Sequence, residues 1–363
     1  MGEMCMDNLL YLAEQFALQG EPTVPEPYGN GHINDTFRFS CAGRSYILQR
    51  LNGYVFPDPE GVNRNIAGVT EWLRRRIAEE GGDPSRETLT LIPTRAGENF
   101  LRDEEGGTWR VFPYITHAVS YDLPESEALF EETGRGFGCF FRRLTGYPAE
   151  TLCEVIPDFH NTPVRFAQLM DAAERDAAGR LSSVPEEMAF CREREADCAL
   201  LVNAGLPLRV THNDTKINNL LLDRDTGRAL CVIDLDTVMP GLAAYDFGDA
   251  IRTGASTAAE DERDLSRVSL SLPMFEAFTR GYLSEAGGVL TRKEAELLPL
   301  GARLMTLENG LRFLADHLNG DLYFHVHREG QNLDRARAQF ALVRDMEKKE
   351  PEMREIIGAC IGS

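Results

Sequence analysis

The stretch of residues 211–236, "THNDTKINNLLLDRDTGRALCVIDLD", constrains the fold of this chain more than any other segment. Polar side chains crowd its first nine positions, and an apolar run typical of a buried strand follows them directly. The Asp-Thr-Gly sequence at 225–227 predicts a turn, so the two flanking strands are expected to form a hairpin. Because a hairpin brings its two ends together, we expect Asp214, Asn219 and Asp234 to converge.

The expected cluster of two carboxylates and one amide suits phosphoryl transfer. The interval of five residues from Asp214 to Asn219 is the interval between the aspartate and the asparagine in the catalytic loop of protein kinases. One carboxylate can orient an acceptor hydroxyl and take its proton, while the amide and the second carboxylate hold Mg²⁺ against the phosphates. The segment therefore predicts an enzyme that transfers a phosphoryl group from ATP.

The length and the charge of the chain narrow its architecture and its partners. A chain of 363 residues is long for one hydrophobic core and sufficient for two lobes. The net charge of −20 argues against nucleic acid and anionic membranes as partners, and it does not exclude a local basic pocket for a nucleotide.

The cysteines and the N-terminal residues bear on the compartment. The eight cysteines form no CxxC pair, and several lie in apolar runs, which is typical of reduced core cysteines. Every apolar run is shorter than the roughly 20 residues of a membrane span. The first sixteen residues are acidic and amphipathic, so a secretory signal is not expected. We therefore expect a cytoplasmic protein.

The pattern of polarity predicts an α+β first lobe over residues 1–115 and a mainly helical second lobe over residues 116–363. In the first lobe we expect a helix at 6–19, strands at 32–40 and 44–52 joined by a turn at Ala42–Gly43, a helix capped by Asp58, and strands at 88–94, 97–103 and 107–115. In the second lobe we expect helices at 124–147, 164–180, 185–204, 259–284, 291–318 and 331–347, and short strands within 206–236.

Six sequence blocks, in the expected order along nearly the whole chain, resemble a known family. The blocks are "GNGHINDTF" (29–37), "ILQRLN" (47–52), "HNDTKINN" (212–219), "VIDLDTVMPG" (232–241), "DFGDAIR" (246–252) and "RFLADHLNGDLYF" (312–324). The chain resembles the aminoglycoside phosphotransferase and choline kinase superfamily, and within it is most similar to the N-acetylhexosamine 1-kinases. The resemblance implies a bilobal, protein-kinase-like fold with a small antiparallel-sheet N-lobe and a larger, mainly helical C-lobe.

The resemblance assigns roles to the residues of the polar segment. Asp214 would be the catalytic base or the residue that orients the acceptor hydroxyl, and Lys216 would spread the charge that develops on the transferred phosphoryl group. Asn219 and Asp234 would bind Mg²⁺, with Asp236 as a further metal residue.

At the nucleotide end, the resemblance makes the segment of Gly29, Asn30 and Gly31 the phosphate-covering loop. Kinases carry a phosphate-binding lysine on the following strand, and this chain has none there. Gln49 and Arg50 are the two candidates to replace it; they face opposite ways in a strand, so only one can point inward. Both candidates stay open.

Two further features of the nucleotide end are implied by the family. The helix glutamate that pairs with the strand lysine in kinases could be Glu60 or Glu71. The backbone of residues 112–114, with Phe112 and Tyr114, would contact adenine as an inter-lobe hinge.

At the acceptor end, the resemblance places Arg312 and Tyr323 against the hexosamine, with His32 of the glycine segment approaching as well. Planar polar side chains and an aromatic face suit a sugar. The alternative for Arg312 is an ion pair with Glu308, four residues earlier on the same helix. His212 is expected to support the catalytic loop, and Asp246, Asp249 and Arg252 are expected to form a buried paired network.

The expected function is the phosphorylation of the anomeric hydroxyl of an N-acetylhexosamine, GlcNAc or GalNAc, by direct transfer from ATP with Mg²⁺. One alternative is a kinase of the same superfamily that acts on choline, homoserine, methylthioribose or an aminoglycoside. The other is a catalytically inactive nucleotide-binding protein, which the missing lysine suggests. The preferred epimer and the oligomeric state do not follow from the sequence.

Overall fold

The structure is a computed structural model that describes residues 6–29 and 33–361. The chain forms two compact units, and each unit comprises three segments. The first unit comprises Met1–Ser120, Arg143–Pro157 and Leu220–Pro240, and the second comprises Tyr121–Arg142, Asp158–Asn219 and Gly241–Ser363. This partition differs from the single boundary predicted between residues 115 and 116. The hairpin within 220–240 groups with the first unit because its first strand pairs with residues 118–119.

The first unit contains two antiparallel sheets and one long helix. Its five-stranded sheet has the order β1-β2-β3-β5-β4, and its three-stranded sheet has the order β6-β8-β9. The strands are β1 (Glu26–Pro27), β2 (Asp35–Cys41), β3 (Arg44–Leu51), β4 (Leu101–Arg102), β5 (Thr108–Pro113), β6 (Ala118–Val119), β8 (Leu220–Asp223) and β9 (Ala229–Val232). The helices are α1 (Met6–Glu14) and α2 (Pro59–Glu79).

The turn between β2 and β3 is set by its two central residues. Ala42 and Gly43 have φ angles of 49° and 77°, which is the left-handed pair that a tight two-residue hairpin needs. The register places Phe39 opposite Tyr46, and their rings stack 5.4 Å apart. The predicted hairpin and its turn are therefore confirmed.

The helix α2 begins where the sequence predicts. The side chain of Asp58 accepts a hydrogen bond from the amide of Gly61, and proline occupies the first helical position. Its buried residues recur at helical spacing and include Val62, Ile66 and Leu73.

The second unit is mainly helical, with α10 at its centre in contact with α4, α7 and α11. The remaining helices are α3 (Glu127–Arg143), α4 (Thr162–Arg175), α5 (Pro185–Glu193), α6 (Glu195–Cys198), α7 (Ala243–Gly254), α8 (Leu272–Ala286), α9 (Arg292–Glu296), α10 (Leu298–Asn319), α11 (Gln331–Lys348) and α12 (Glu350–Ile361). The short strand of this unit is β7 (Arg209–Thr211), and the strand β10 (Met239–Gly241) begins in a segment of the first unit and ends at Gly241 of the second.

Several predicted elements differ from the structure. Residues 88–94 were expected to form a strand and make only isolated bridges, Phe16 with Thr94 and Ile92 with Val111. The helix predicted to start at residue 259 begins at Leu272, because Ser271 caps it and a proline fits its first turn. The helix predicted at 185–204 is split in two at Arg194. The α+β class itself is confirmed.

Two sequence-based expectations about cysteines and membranes have structural counterparts. The seven cysteines in the described part of the chain, all except Cys5, are free thiols. No helix within residues 6–361 combines the length and the apolar character that crossing a membrane requires.

Candidate active site

The segment after β7, which contains the predicted catalytic residues, is held by a buried carboxylate. Asp246 on α7 accepts hydrogen bonds from the amides of His212, at 2.9 Å, and Asn213, at 2.7 Å. Asn213 has a φ angle of 64°, a left-handed conformation that asparagine tolerates and that these bonds stabilise. The hydroxyl of Thr215 donates to the carbonyl of Asp246 at 2.5 Å. The segment before and after Asp214 is therefore fixed to α7.

His212 has the supporting role that the sequence predicts. Its ring is fully buried and lies edge-on to Phe137 and Phe140, with ring centres 6.0 Å apart in both cases. Its Nδ1 accepts a hydrogen bond from the amide of Asp214 at 3.2 Å. The ring thus orients the backbone amide of Asp214.

Asp214 lies at the centre of a small polar group formed by neighbours on the same loop. The ammonium of Lys216 is 2.8 Å from Oδ1 of Asp214. The amide Nδ2 of Asn219 donates to Oδ2 of Asp214 at 3.0 Å and to its backbone carbonyl at 2.8 Å. The loop therefore brings together three of the residues that were predicted to carry catalysis, and it leaves both charged side chains partly exposed.

The electrostatics of this group favour an ionised aspartate. Burial acts to raise the pKa of Asp214, but the Lys216 ammonium more than offsets it, so the pKa lies below its usual value. The same ion pair raises the pKa of Lys216. At neutral pH both groups are charged, so Asp214 can orient a hydroxyl and Lys216 can stabilise negative charge.

Behind the loop lies a buried pair that the sequence did not reveal. Nε2 of His160 donates to the carbonyl of Asn213 at 3.0 Å, and Nδ1 lies 2.8 Å from Oε1 of Glu308. The hydroxyl of Thr162 donates to the other oxygen of Glu308 at 2.8 Å. Burial acts to raise the pKa of Glu308, but His160 more than offsets it and the pKa is lowered. An ionised Glu308 accepts from Nδ1, so both ring nitrogens donate, which is the arrangement of an imidazolium.

The predicted network of Asp246, Asp249 and Arg252 is only partly as expected. Arg252 pairs with Asp249 at 2.9 Å, and both side chains are buried. Its second partner is Glu260, at 2.7 Å, and not Asp246. Asp246 binds the loop backbone instead, and burial raises the pKa of its carboxyl.

The metal motif of the first unit follows β9. Asp234 is exposed and has a φ angle of 57°, a left-handed conformation that is costly for aspartate and is often found at functional sites. Asp236, by contrast, is buried. Its Oδ1 lies 2.6 Å from Nη2 of Arg110, and its Oδ2 accepts from the amide of Asn34 at 2.6 Å. Oδ2 of Asp236 is thus bonded by Asn34, whereas Oδ1 faces the charge of Arg110 without a hydrogen bond to any described residue, so the metal-ligand role of Asp236 stays a prediction.

A buried polar cluster extends from Asp236 to β3. We call the four residues Asn34, Gln49, Arg110 and Asp236 the Arg110 cluster. Gln49 accepts from Nε and Nη2 of Arg110, at 3.2 and 2.9 Å, and its amide donates to Thr36. The two strand candidates are thereby distinguished, because Gln49 is the one that points inward.

Arg50 lies on the other face of the sheet. Its guanidinium is 5.9 Å from the ring centre of Trp109 and 4.0 Å from Glu105, whose side chain is solvent-exposed. Glu60 and Glu71, the two candidates for the helix glutamate, are both exposed, and Glu60 pairs with Arg102 at 2.8 Å. None of these residues joins the Arg110 cluster.

The hinge expectation needs a correction at one atom. The amide of Tyr114 donates to the carbonyl of Ser45 at 2.9 Å, so this group belongs to the sheet and is not available to adenine. Pro113, in the intervening position, has no amide hydrogen, and the alternation of an antiparallel ladder turns its carbonyl away from β3. Phe112 is buried, and its ring lies 5.1 Å from the guanidinium of Arg110.

The glycine segment is described only at its start. Gly29 has a φ angle of 82°, a conformation in which glycine is favoured. The predicted roles of Asn30, Gly31 and His32 lie outside the described residues.

The predicted acceptor residues lie together in the second unit. The guanidinium of Arg312 is 5.9 Å from the ring centre of Tyr323, 5.4 Å from Phe324 and 5.2 Å from Phe159. Tyr323 is 51% exposed, so its ring is open to a ligand. The alternative ion pair of Arg312 with Glu308 is wrong, since Glu308 is engaged by His160 and Thr162.

The acceptor residues adjoin the catalytic loop through packed side chains. The ring of Phe159 lies 4.4 Å from that of His160, whose Nε2 holds the carbonyl of Asn213, the residue before Asp214. Arg165 lies nearby and donates to the carbonyl of Phe159 at 2.9 Å. Burial and the positive charge of Arg312 lower the pKa of Arg165. The carboxylates of Glu308 and Asp158 act on the pKa of Arg165 in the opposite direction, so this region holds two guanidinium groups together with acidic groups.

The residues present fit a magnesium ion in the manner of kinases. No group of three or more His, Cys, Asp or Glu side chains in the described part of the chain could hold a metal alone. Mg²⁺ does not require one, because it retains water and binds one or two protein oxygens together with substrate phosphates. Nδ2 of Asn219 is used by Asp214, which leaves the amide oxygen of Asn219 for a cation. The ligand roles of Asn219 and Asp234, and their convergence, stay predictions.

The comparison with known families agrees with this chemistry. A family model described as "Phosphotransferase enzyme family" matches residues 25–269, which is more than half of the chain. The chain belongs to the phosphotransferase enzyme family.

Solved structures of this phosphotransferase family's fold are similar over nearly their whole length. A spectinomycin phosphotransferase in complex with ADP and spectinomycin has a TM-score of 0.59 and 15% identity, with 99% of both chains covered. A microcompartment-associated aminopropanol kinase has a TM-score of 0.56 and 16% identity, with 96% of this chain and 98% of the other covered. A choline/ethanolamine kinase family protein from Mesorhizobium loti has a TM-score of 0.55 and 20% identity, with coverage of 93% and 92%. The predicted protein-kinase-like fold is confirmed.

The site of this phosphotransferase also contains residues that the sequence analysis missed. Arg110 was read as part of an apolar strand, although an arginine between Trp109 and Val111 was a signal, because a charged residue in a buried strand requires a partner. His160 and Glu308 are 148 positions apart, and no local pattern links them.

Proposed function

We propose that this phosphotransferase transfers the γ-phosphoryl group of ATP, with Mg²⁺, to the anomeric hydroxyl of an N-acetylhexosamine. The observation that carries the acceptor part is the approach of Arg312 and Tyr323 to each other beside an exposed aromatic face. The family resemblance predicted both residues together as sugar contacts. The ADP in the similar spectinomycin phosphotransferase supports the nucleotide.

The catalytic loop supports direct transfer. Asp214, ionised at neutral pH, accepts a hydrogen bond from the acceptor hydroxyl, aligns its oxygen with the phosphorus and takes the proton as the new bond forms. The ammonium group of Lys216 then approaches the transferred phosphoryl group and stabilises the negative charge that develops on it. Asn219 and Asp234 would hold Mg²⁺, which supplies charge neutralisation of the phosphates when bound.

The sheet geometry suggests how adenine is held. The amide of Tyr114 is used by Ser45, so the groups proposed to contact the base are the carbonyl of Pro113 and the amide of Ile115. One acceptor and one donor, two residues apart, match the adjacent donor and acceptor on the edge of adenine.

The charge of the acceptor region favours a neutral sugar over a cationic acceptor. Within the described residues Arg312 forms no ion pair, and its positive charge is near that of Arg165. A quaternary ammonium or a polyamine sugar would be repelled there, whereas hydroxyl and acetamide oxygens can accept from a guanidinium fork. Choline and aminoglycosides are therefore the weaker candidates, although the family includes kinases for both.

The test is an acceptor panel read by ADP release. We expect N-acetylglucosamine or N-acetylgalactosamine to give the highest kcat/KM, and ³¹P NMR of the product to show an anomeric phosphate. Higher kcat/KM with choline, aminopropanol or spectinomycin, or a 6-phosphate product, would contradict the proposal.

Two sets of variants connect the activity to the site. Asp214→Asn is expected to lower kcat by about 10²–10⁴ while ADP binding stays near that of the wild type. Arg312→Lys is expected to raise the KM for the acceptor with little change in the KM for ATP, because lysine keeps the charge and loses the planar fork. Arg344→Lys is the matched control. The guanidinium of Arg344 also lies over an aromatic ring, 4.5 Å from the ring centre of Phe190, and Arg344 is not among the predicted acceptor residues. Survival of turnover in Asp214→Asn would refute the role of Asp214.

A further inference from the structure

We propose that Arg110 is the cation that neutralises the nucleotide phosphates in this protein, in place of the lysine that kinases carry on β3. The inference rests on the proposed use of ATP. It assigns the phosphate contact to a residue on the neighbouring strand β5, which neither the family resemblance nor the sequence pattern indicated.

The strand register places Arg110 beside the position of the missing lysine. Gln49 points inward but carries no charge. Arg110 is directly opposite it in the β3–β5 ladder, and opposite residues project on the same face of a sheet. The guanidinium reaches across to Gln49, with Nη2 2.9 Å and Nε 3.2 Å from Oε1. A positive charge is therefore present beside the Gln49 position of β3, and it belongs to a residue of the adjacent strand β5.

Arg110 also has the carboxylate partner that a catalytic strand lysine has. In kinases that lysine is held by a glutamate from a helix of the N-lobe. Here Glu60 and Glu71 of α2 are exposed, and Asp236 takes the partner's place at 2.6 Å. The side chains of Arg110 and Asp236 are only 2% and 3% exposed, so the pair is strongly oriented.

One nitrogen of Arg110 remains without a partner. Nη1 is buried and forms no hydrogen bond with any described residue. A buried, charged donor without an acceptor is costly, and such a group requires an explanation, of which a bound anion or ligand is one. A phosphate oxygen is the acceptor that a guanidinium fork fits best.

Members of the Arg110 cluster are close in sequence to segments that kinases use around phosphates. Asn34, which binds Asp236, is three residues after Gly31 along the chain. Asp236 is two residues after Asp234, the predicted metal ligand. On the same face, the ring of Phe112 in the hinge strand lies 5.1 Å from the guanidinium. The Arg110 cluster is therefore connected along the chain to the predicted glycine and metal segments.

The test compares the binding of adenosine and ADP by calorimetry in EDTA, with no acceptor and no metal. The quantity of interest is the Kd for adenosine divided by the Kd for ADP. This ratio measures how much the phosphates add to the affinity. We expect Arg110→Gln to lower this ratio at least tenfold while the Kd for adenosine changes less than threefold. Arg50→Gln is the matched control, because Arg50 is a neighbouring strand arginine on the opposite face, and its ratio should stay unchanged.

Two double variants keep the test decisive if Arg110→Gln folds poorly. Arg110→Gln with Asp236→Asn removes both buried charges together, so no charge is left unpaired. This double variant should also have a ratio at least tenfold lower than that of the wild type. Gln49→Lys with Arg110→Gln returns the cation to β3 and should recover at least part of it. Circular dichroism and the thermal midpoint check that each variant is folded.

The results separate the inference from the function on which it rests. If folded variants without Arg110 keep the wild-type ratio, or lose affinity for adenosine and ADP equally, Arg110 is a structural residue and the inference is wrong. If the wild type binds neither ADP nor ATP, the proposed function fails and the inference fails with it. If the wild type binds ADP more tightly than adenosine and this gain depends on Arg110, both are supported.

Discussion

The buried pair of His160 and Glu308 gives the sharpest prediction about how the catalytic loop is held. We expect Glu308→Leu to destabilise the second unit strongly and Glu308→Gln to destabilise it only slightly. Leucine offers no acceptor to His160 or to Thr162, which now bond to the two carboxylate oxygens at 2.8 Å each. Glutamine can satisfy both, because its oxygen accepts from Thr162 and its amide donates to the ring once His160 has lost a proton.

The magnitudes follow from the number of groups left unpaired. Each buried polar group without a partner costs about 1–3 kcal/mol, so two in the leucine variant imply a loss of roughly 3–5 kcal/mol. The glutamine variant exchanges a charge-assisted bond for a neutral one, a loss of about 1 kcal/mol. For a urea m-value of about 2–3 kcal/mol per molar, the leucine variant should shift the unfolding midpoint by roughly 1–2 M.

The assay should measure the loss of helical structure and not the change in tryptophan fluorescence. Trp72 and Trp109 both belong to the first unit, whereas the perturbed pair belongs to the mainly helical second unit. Urea unfolding is therefore read by circular dichroism at the helix band, with tryptophan fluorescence as an internal control. Equal midpoints for the leucine and glutamine variants would refute the reasoning, because they would show that the hydrogen bonds of Glu308 contribute nothing.

The same pair predicts a dependence on pH. The pKa of Glu308 is lowered in the folded state, so its ionised form stabilises the fold above the unfolded pKa, and that stability is lost as the pH falls through the folded pKa. The wild type should therefore lose stability in acid more steeply than Glu308→Gln, which lacks the titrating group. The measurement is the unfolding midpoint of both proteins from neutral pH down to about pH 2, because the loss lies below the ordinary pKa of a glutamate. Parallel curves would contradict an ionised pair.

Two further predictions concern packing and capping. A Cβ at Gly281 would lie 1.9 Å from the carbonyl oxygen of Glu131, so Gly281→Ala should lower the free energy of unfolding by about 3 kcal/mol or more. A Cβ at Gly288 would lie in open space, so Gly288→Ala should change the free energy of unfolding by less than about 1 kcal/mol. Thermal unfolding followed by circular dichroism distinguishes the two variants. Asp58→Ala removes the cap of α2 and should cost about 1 kcal/mol in the first unit, measured by tryptophan fluorescence in urea, and an unchanged midpoint would mean that the cap contributes nothing.

The sequence predicted those elements whose signals are local. The β2–β3 turn follows from Ala42 and Gly43, and the start of α2 follows from Asp58 and the proline after it. The polar loop of Asp214 and Asn219 was also recognised, because its residues are close in sequence and bond to one another directly. In each of these cases the partners that decide the structure are within about five positions.

The helix α7 has a period that the sequence analysis did not use. Eleven of its twelve residues are buried, and its charged residues Asp246, Asp249 and Arg252 recur every three positions, which places them on one side of the helix. Its aspartates were read as an ion-pair network, since a charge in an apolar run suggests a paired charge. In the structure, Asp246 is instead paired with two backbone amides, a partner that side-chain patterns cannot indicate.

The question of the missing lysine shows a second limit, which is chemical. Gln49 and Arg50 were weighed against each other because a motif is read along one strand, and the alternation of that strand allows only one of them inside. The answer depends on the next strand of the sheet, since the pairing of Gln49 with Arg110 is fixed by register and spans 61 positions. A sheet can supply a required charge from either of two adjacent strands at nearly the same place. A neutral residue at the motif position therefore indicates lost function only when the opposite strand carries no cation, and here it carries Arg110.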